Sequence, residues 1–182
     1  MFRINDYVFY GVTGVCRISD LRMVKLGGME GQECYVLEPI SAPTSSIYIP
    51  TSNNEIIAHI RPIMSKDQIY DLIDHMPEEE TVWISDERER SRVFYAKINS
   101  CDSRALIQLI KTLYLEKNHH SKSKRLGTID SKIMGTAERL LYEEFAFVLG
   151  LDPQDVLPFI QARVPRQAVF GGTAEVPAPG RA

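Results

Sequence analysis

The spacing of apolar positions along the chain changes near residue 64. Before that point apolar and polar residues alternate. "DYVFYG" sets Tyr7 and Phe9 on one face of an extended segment and Val8 and Tyr10 on the other. "GVCRISDLRMV" comes after a turn from Gly11 to Gly14, and "KLGGMEGQ" reads as a hairpin-like break. "ECYVLEPI" is a further strand, and "SAPTS" turns the chain into "SIYIP". Short strands joined by short turns within about 60 residues predict a small β-barrel of the SH3 or Tudor kind. Such a barrel is near the lower size limit for an independent core, so it is expected to lean on the helical part of the chain.

From Ser65 the period becomes helical. "SKDQIYDLIDHM" opens with Ser65 and Gln68 in capping-box spacing, carries Ile69, Leu72, Ile73 and Met76 on one face, and stops at Pro77. "SDERERSRVFYAKI" has Ser85 as its candidate N-cap and acids in its first turn. "DSRALIQLIKTLYLEK" starts at Asp102 and turns Leu106, Leu109, Ile110 and Leu113 inward. "TIDSKIMGTAERLLYEEFAFVLG" starts at Thr128, aligns Ile133, Ala137, Leu140, Leu141, Glu144 and Val148, and ends at Gly150. "DPQDVLPFIQARV" has Asp152 as N-cap and Pro153 at the first helical position. The predicted class is α+β: a small N-terminal SH3/Tudor-like β-barrel over residues 1–62, then a bundle of about five α-helices over 63–164. Residues 165–182, rich in Pro, Gly and Ala without a period, are expected to form a disordered tail.

Charge refines this picture. The chain of 182 residues carries a net charge of −3, but residues 1–80 hold −6, residues 81–140 hold +5, and residues 141–182 hold −2. A basic segment within an acidic chain attracts a polyanion locally; the plainer alternative is that both signs interleave along solvated helix faces. No apolar run approaches the ~18–20 residues of a membrane span, and the N-terminus lacks a signal peptide's pattern, so a cytoplasmic location is expected. Cys16, Cys34 and Cys101 are odd in number and widely spaced, which reads as small apolar fillers.

Tests for catalysis return little. "GVTGV" has no GxGxxG and no helix after it, and GxxxxGK[ST], HExxH and GxSxG are absent. His119 and His120 are adjacent, so on a helix they diverge by about 100° and share no metal. Glu143 and Glu144 read as an exposed helix face, or as a salt bridge from Glu143 to Arg139. No enzyme, cofactor or metal is expected. What stands out is Trp83, the sole tryptophan, in "TVWISDERERSRVFYAKI". It either packs a core between the two halves, flanked by Val82 and Ile84, or is an exposed tool that touches another molecule.

"DYVFYGVTGVCRI", "YVLEPI…SIYIP", the tryptophan at 83 succeeded by "RSRVFYAKINSCDSRALIQLIKTLY", and "LGTIDSKIMGTAERLLYEEFAFVLG" occur in an order and spacing that resemble the CarD/CdnL family of bacterial RNA polymerase-binding transcription regulators. The resemblance covers residues 1 to about 160. The transcription-repair coupling factor carries a similar barrel, whereas the helical half looks specific to CarD/CdnL. The resemblance implies a non-enzymatic modulator of initiation: the barrel docks on the RNA polymerase β subunit, and the helical domain reaches promoter DNA at the upstream edge of the bubble, with an exposed tryptophan in the minor groove. On this chain it implies Trp83 as the wedge and Arg88, Arg90, Arg92, Lys97, Lys124, Arg125 and Lys132 as phosphate contacts, giving DNA binding that is largely sequence-independent. Arg22, Lys25 and Tyr48 fall where the family's barrel faces polymerase. Asp86, Glu87 and Glu89 place negative charge beside Trp83. The competing expectation is a protein-only adaptor, whose barrel binds by adding a strand at its edge and whose bundle binds a second protein and no DNA.

Overall fold

A computed structural model describes residues 2–25, 31–119 and 126–164. The central part of the expected hairpin break, His120, Lys124, Arg125 and the 165–182 tail lie outside these residues. Two layers are seen. Five antiparallel strands, β1 (Tyr7–Tyr10), β2 (Gly14–Val24), β3 (Gln32–Pro39), β4 (Ile47–Pro50) and β5 (Ile60–Pro62), form one sheet in the order β4-β3-β2-β1-β5. A one-turn helix, α1 (Asn54–Ile57), precedes β5, and the Asn53 side chain caps it by accepting from the Ile56 N–H. Five helices come after the sheet: α2 (Lys66–Asp74), α3 (Glu87–Asn99), α4 (Ser103–His119), α5 (Thr128–Leu149) and α6 (Pro153–Arg163). The class is α+β, as the change of period predicts.

The strand alternation divides the sheet's apolar residues between two cores. Val8 joins Cys16, Ile18, Tyr35, Leu37, Ile49 and Ile60 in the sheet's own cluster, with Tyr10 packed against it. Phe9 and Val15 point the other way, into the larger core of helical residues. A register shift between Ile18 and Asp20 marks a bulge in β2, where extra twist bends a long strand. The sheet therefore leans on the helices, as its size requires.

The helix ends obey local chemistry. Ser65 and Gln68 form the full capping box. Gly150 closes α5 in the left-handed conformation, with φ 72°. The N-cap of α3 is Asp86 and not Ser85: the Asp86 carboxylate accepts from the Glu89 N–H at 2.7 Å. Either residue type suits the position, and the carboxylate also meets the positive end of the helix dipole.

The largest departure from the sequence reading is Glu144, which is 0% exposed. Its carboxylate receives both terminal nitrogens of Arg61, at 2.6 and 2.7 Å, together with the Met64 N–H at 3.0 Å. Arg61, on β5, also donates to the Cys101 carbonyl and the Ser103 hydroxyl, and lies 4.3 Å from the Phe9 ring centroid. This hub ties the last strand to the start of α4 and to the C-terminal half of α5. Beside it Glu143 accepts from the Val15 N–H at 2.9 Å and pairs with Arg139 at 3.5 Å, as its spacing predicts. Burial pushes the Glu143 carboxyl above its usual range, against the pull of the Val15 N–H and Arg139.

Two stability predictions arise from this junction. Replacing Arg61 with Met leaves the Glu144 carboxylate buried without its cation and should cost about 3–5 kcal/mol in urea denaturation. The double variant Arg61→Met/Glu144→Leu should be more stable than Arg61→Met alone, and additive losses would disprove the coupling. Gly14 has φ 91°, and a Cβ there would overlap the Glu143 carboxylate. Gly14→Ala should therefore destabilise by roughly 1–3 kcal/mol, and an unchanged unfolding midpoint would refute that account.

Candidate nucleic-acid interface

Trp83 sits in an irregular strap between the 3₁₀ turn at Met76–Glu78 and α3. Nothing periodic holds such a segment, so side chains must. At its start the Lys111 ammonium donates to the carbonyls of Met76, Pro77 and Glu79, at 3.3, 2.7 and 2.8 Å. The Glu79 carboxylate meets Arg104 at 2.7 Å and the Gln108 amide at 2.9 Å. At its end Arg90 donates to the carbonyls of Ile84 and Ser85. Burial lowers the Lys111 pKa against the pull of Glu79.

Between these anchors Val82 is 60% exposed and Trp83 is 36% exposed, and neither belongs to a core cluster. The expectation that Trp83 packs a core between the two halves is thus set aside. Its ring lies 4.3 Å from the Arg90 guanidinium carbon. One side of the indole rests on a cation while part of the ring meets solvent, an arrangement that stiffens an aromatic without hiding it.

The cations named from the sequence fall into different environments. Arg90 is set apart from the others: its side chain is 8% exposed, and Nε and Nη2 donate to the two carboxylate oxygens of Asp130 at 3.1 and 2.9 Å. A guanidinium this buried and committed within the chain has little left to offer an external phosphate. Arg88 and Lys132 are exposed and carry no ion pair among the described residues. Arg92 is exposed but pairs with Glu89 one turn earlier, and this contact holds the Glu89 carboxyl below its usual range. Lys97 donates to the Gln108 side chain at 3.0 Å. Asp86, the cap, and Glu89, the partner of Arg92, account for two of the three acids beside Trp83.

On the sheet, strand register brings together two of the three residues predicted to face polymerase. Asp20, Val36 and Tyr48 align across β2, β3 and β4, and Arg22, Cys34 and Pro50 form the next same-face row. Arg22 donates to the Tyr48 hydroxyl at 2.7 Å and lies 3.7 Å from the Asp20 carboxylate. Lys25 is exposed just beyond the end of β2. Met23, between them in sequence, is 66% exposed.

Other reactive groups are quiet. The three cysteines are free and buried, and burial with nearby Glu143 pushes the Cys16 thiol up to about 12, so it stays protonated at neutral pH. An apolar pocket lined by Met76, Ile107, Ile110, Leu141 and Ile160 has Lys111 at its edge, but that ammonium is committed to carbonyls. Among the described residues no group of three or more His, Cys, Asp or Glu could hold a metal, and no helix is long and apolar enough to cross a membrane. Sequence reasoning missed Asp130, Lys111 and Glu79. Asp130 lies three residues before Ile133 on the buried face of α5, and that spacing is the available signal.

Two family models match the chain: the CarD-like/TRCF RID domain over residues 2–64 and the CarD C-terminal domain over residues 69–161. No curated protein matches it. The paired matches share the division into sheet and helices seen in the fold, and with them the chain belongs to the CarD/CdnL family of RNA polymerase-interacting transcription factors.

Proposed function

We propose that the protein binds the RNA polymerase β subunit through residues 1–62 and contacts promoter DNA at the upstream edge of the transcription bubble through residues 63–164, stabilising the open complex. The observation that carries this reading is Trp83: the sole tryptophan, partly exposed, outside both cores and stacked on a fixed cation. An aromatic wedge offsets part of the few kcal/mol needed to unstack a base step, and so favours DNA that is already kinked open. A gain of only about 1.4 kcal/mol raises the open population relative to the closed one tenfold.

Arg88, Lys97 and Lys132 supply phosphate contacts in this reading and Arg92, held by Glu89, only a weakened one, with Lys124 and Arg125 joining them from the basic connection between α4 and α5. Arg90 is not among them. Arg22, Tyr48 and Lys25 contribute to the polymerase face. Tethering through polymerase supplies a high effective concentration, so the DNA contacts need not be tight alone, which fits a chain of net charge −3. The protein works in the cytoplasm, on the nucleoid, as a non-enzymatic regulator.

The decisive experiment is open-complex lifetime on a supercoiled promoter with purified RNA polymerase. Wild type should lengthen the lifetime, and Trp83→Ala should abolish the effect while still binding polymerase. If neither protein changes it, the reading fails, and a protein-only adaptor takes its place. A second outcome concerns charge: Glu89→Gln releases Arg92 from its partner. This variant should bind DNA more tightly, with the slope of log affinity against log salt steeper by about 0.9, one additional phosphate. Titrations of labelled duplex at several salt concentrations measure it, and an unchanged slope would remove Arg92 from the interface.

A further inference from the structure

The Arg90 guanidinium meets three sets of neighbours. Nε and Nη2 face the Asp130 carboxylate, Nη1 faces the carbonyls of Ile84 and Ser85, and the guanidinium carbon lies over the Trp83 ring, 4.3 Å from its centroid. Asp130 is itself 5% exposed and sits in the first turn of α5, where the helix dipole favours its negative charge. The pair is therefore fixed from two helices, Arg90 on α3 and Asp130 on α5, while the tryptophan it supports lies in a strap with no regular structure. The Met76–Glu79 end of that strap is held by Lys111.

We infer that Arg90 and Asp130 are positioning residues for Trp83: the carboxylate locks the guanidinium plane, and that plane sets the tilt of the indole and the path of the strap beneath it. This rests on the reading of Trp83 as the DNA-contacting group and adds what that reading lacks, a reason why a side chain on an irregular strap has one orientation. An unsupported exposed side chain changes rotamer in picoseconds to nanoseconds. A wedge that must find its orientation on contact gives up rotamer entropy at that moment, whereas one already held has lost it on folding. Only a planar, forked cation can bridge the carboxylate and stack on the ring at once, so lysine should not substitute. The clamp also limits the wedge to its outer face and edge, because the inner face is covered.

Trp83 is the only tryptophan, so intrinsic tryptophan fluorescence of the full chain reports on this side chain alone. In wild type, time-resolved anisotropy should show Trp83 tumbling with the whole protein. A dominant nanosecond component of independent rotation in wild type would overturn the proposal without any variant. In Arg90→Lys and in Asp130→Asn, a fast component should appear and acrylamide should quench more steeply, while circular dichroism retains the helical signal. Should Asp130→Asn fail to fold, Arg90→Lys, which leaves a cation beside Asp130, decides alone.

The open-complex arm uses the same proteins. Arg90→Lys should lose the lifetime effect to the level of Trp83→Ala, and the double variant Arg90→Lys/Trp83→Ala should lose no more than Trp83→Ala alone. Full retention of the lifetime effect with a mobile indole would refute the positioning role. If Trp83→Ala itself has no effect on open complexes, the DNA reading fails separately, and the anisotropy still shows whether Arg90 and Asp130 hold the ring.

Discussion

The Arg61–Glu144 pair is the constraint on which the arrangement of the two layers depends. A carboxylate with no exposure cannot be left uncompensated, and its partner stands on the last strand of the sheet. The sheet alone has a small core, and Phe9 and Val15 already belong to the helical cluster. Apolar contact would permit the two layers to slide. Two parallel N–H···O bonds of 2.6 and 2.7 Å do not, because their geometry allows one register. Gly14 and Glu143 extend the same junction by letting the β2 backbone approach α5 closely enough for the Val15 N–H to reach a carboxylate.

The same device occurs a second time. Arg61 and Arg90 each give a forked pair of bonds to an acid of α5, each donate to backbone carbonyls of a neighbouring segment, and each lie 4.3 Å from an aromatic centroid, Phe9 in one case and Trp83 in the other. The acids, Asp130 and Glu144, are about four turns apart on one helix, about 21 Å at 1.5 Å per residue. Helix α5 is thus a spine with an arginine fixed near each end. One arginine sets the sheet and the other sets the strap carrying Trp83. On the proposed reading, in which the sheet binds polymerase and Trp83 meets DNA, that distance must be constant, and a single continuous helix supplies it.

Much of the fold is legible without coordinates, because strand alternation and helical spacing report which faces are buried. The faces named for α2, α4 and α5 are buried almost throughout, and the Ser65 capping box and the Gly150 terminus are explicit in residue type. The errors share one cause. Spacing groups Glu144 with the buried apolar positions of α5, yet its charge by itself reads as a surface property. Its cation lies 83 residues away on another element. Arg90 resembles a phosphate contact because it sits in a basic run, and its acid lies 40 residues away. Local pattern tells which face an ionisable group is on; only tertiary structure tells whether its partner is solvent, ligand or another part of the chain.

That distinction changes what the basic segment can do. The +5 of residues 81–140 suggests a strong polyanion site, but a cation already bonded to a carboxylate contributes little to an approaching phosphate. Arg90 and Arg104 are paired with Asp130 and Glu79, Lys111 is turned onto carbonyls, and Arg92 shares its charge with Glu89. Arg88 and Lys132 keep their full charge for solvent or ligand. With several of the described cations already bonded within the chain, weak affinity for free DNA is what the proposed reading expects, and it suits a protein that polymerase delivers to its site. Three of the cations that look like affinity in the sequence, Arg90, Arg104 and Lys111, instead fix one aromatic ring and the strap that carries it.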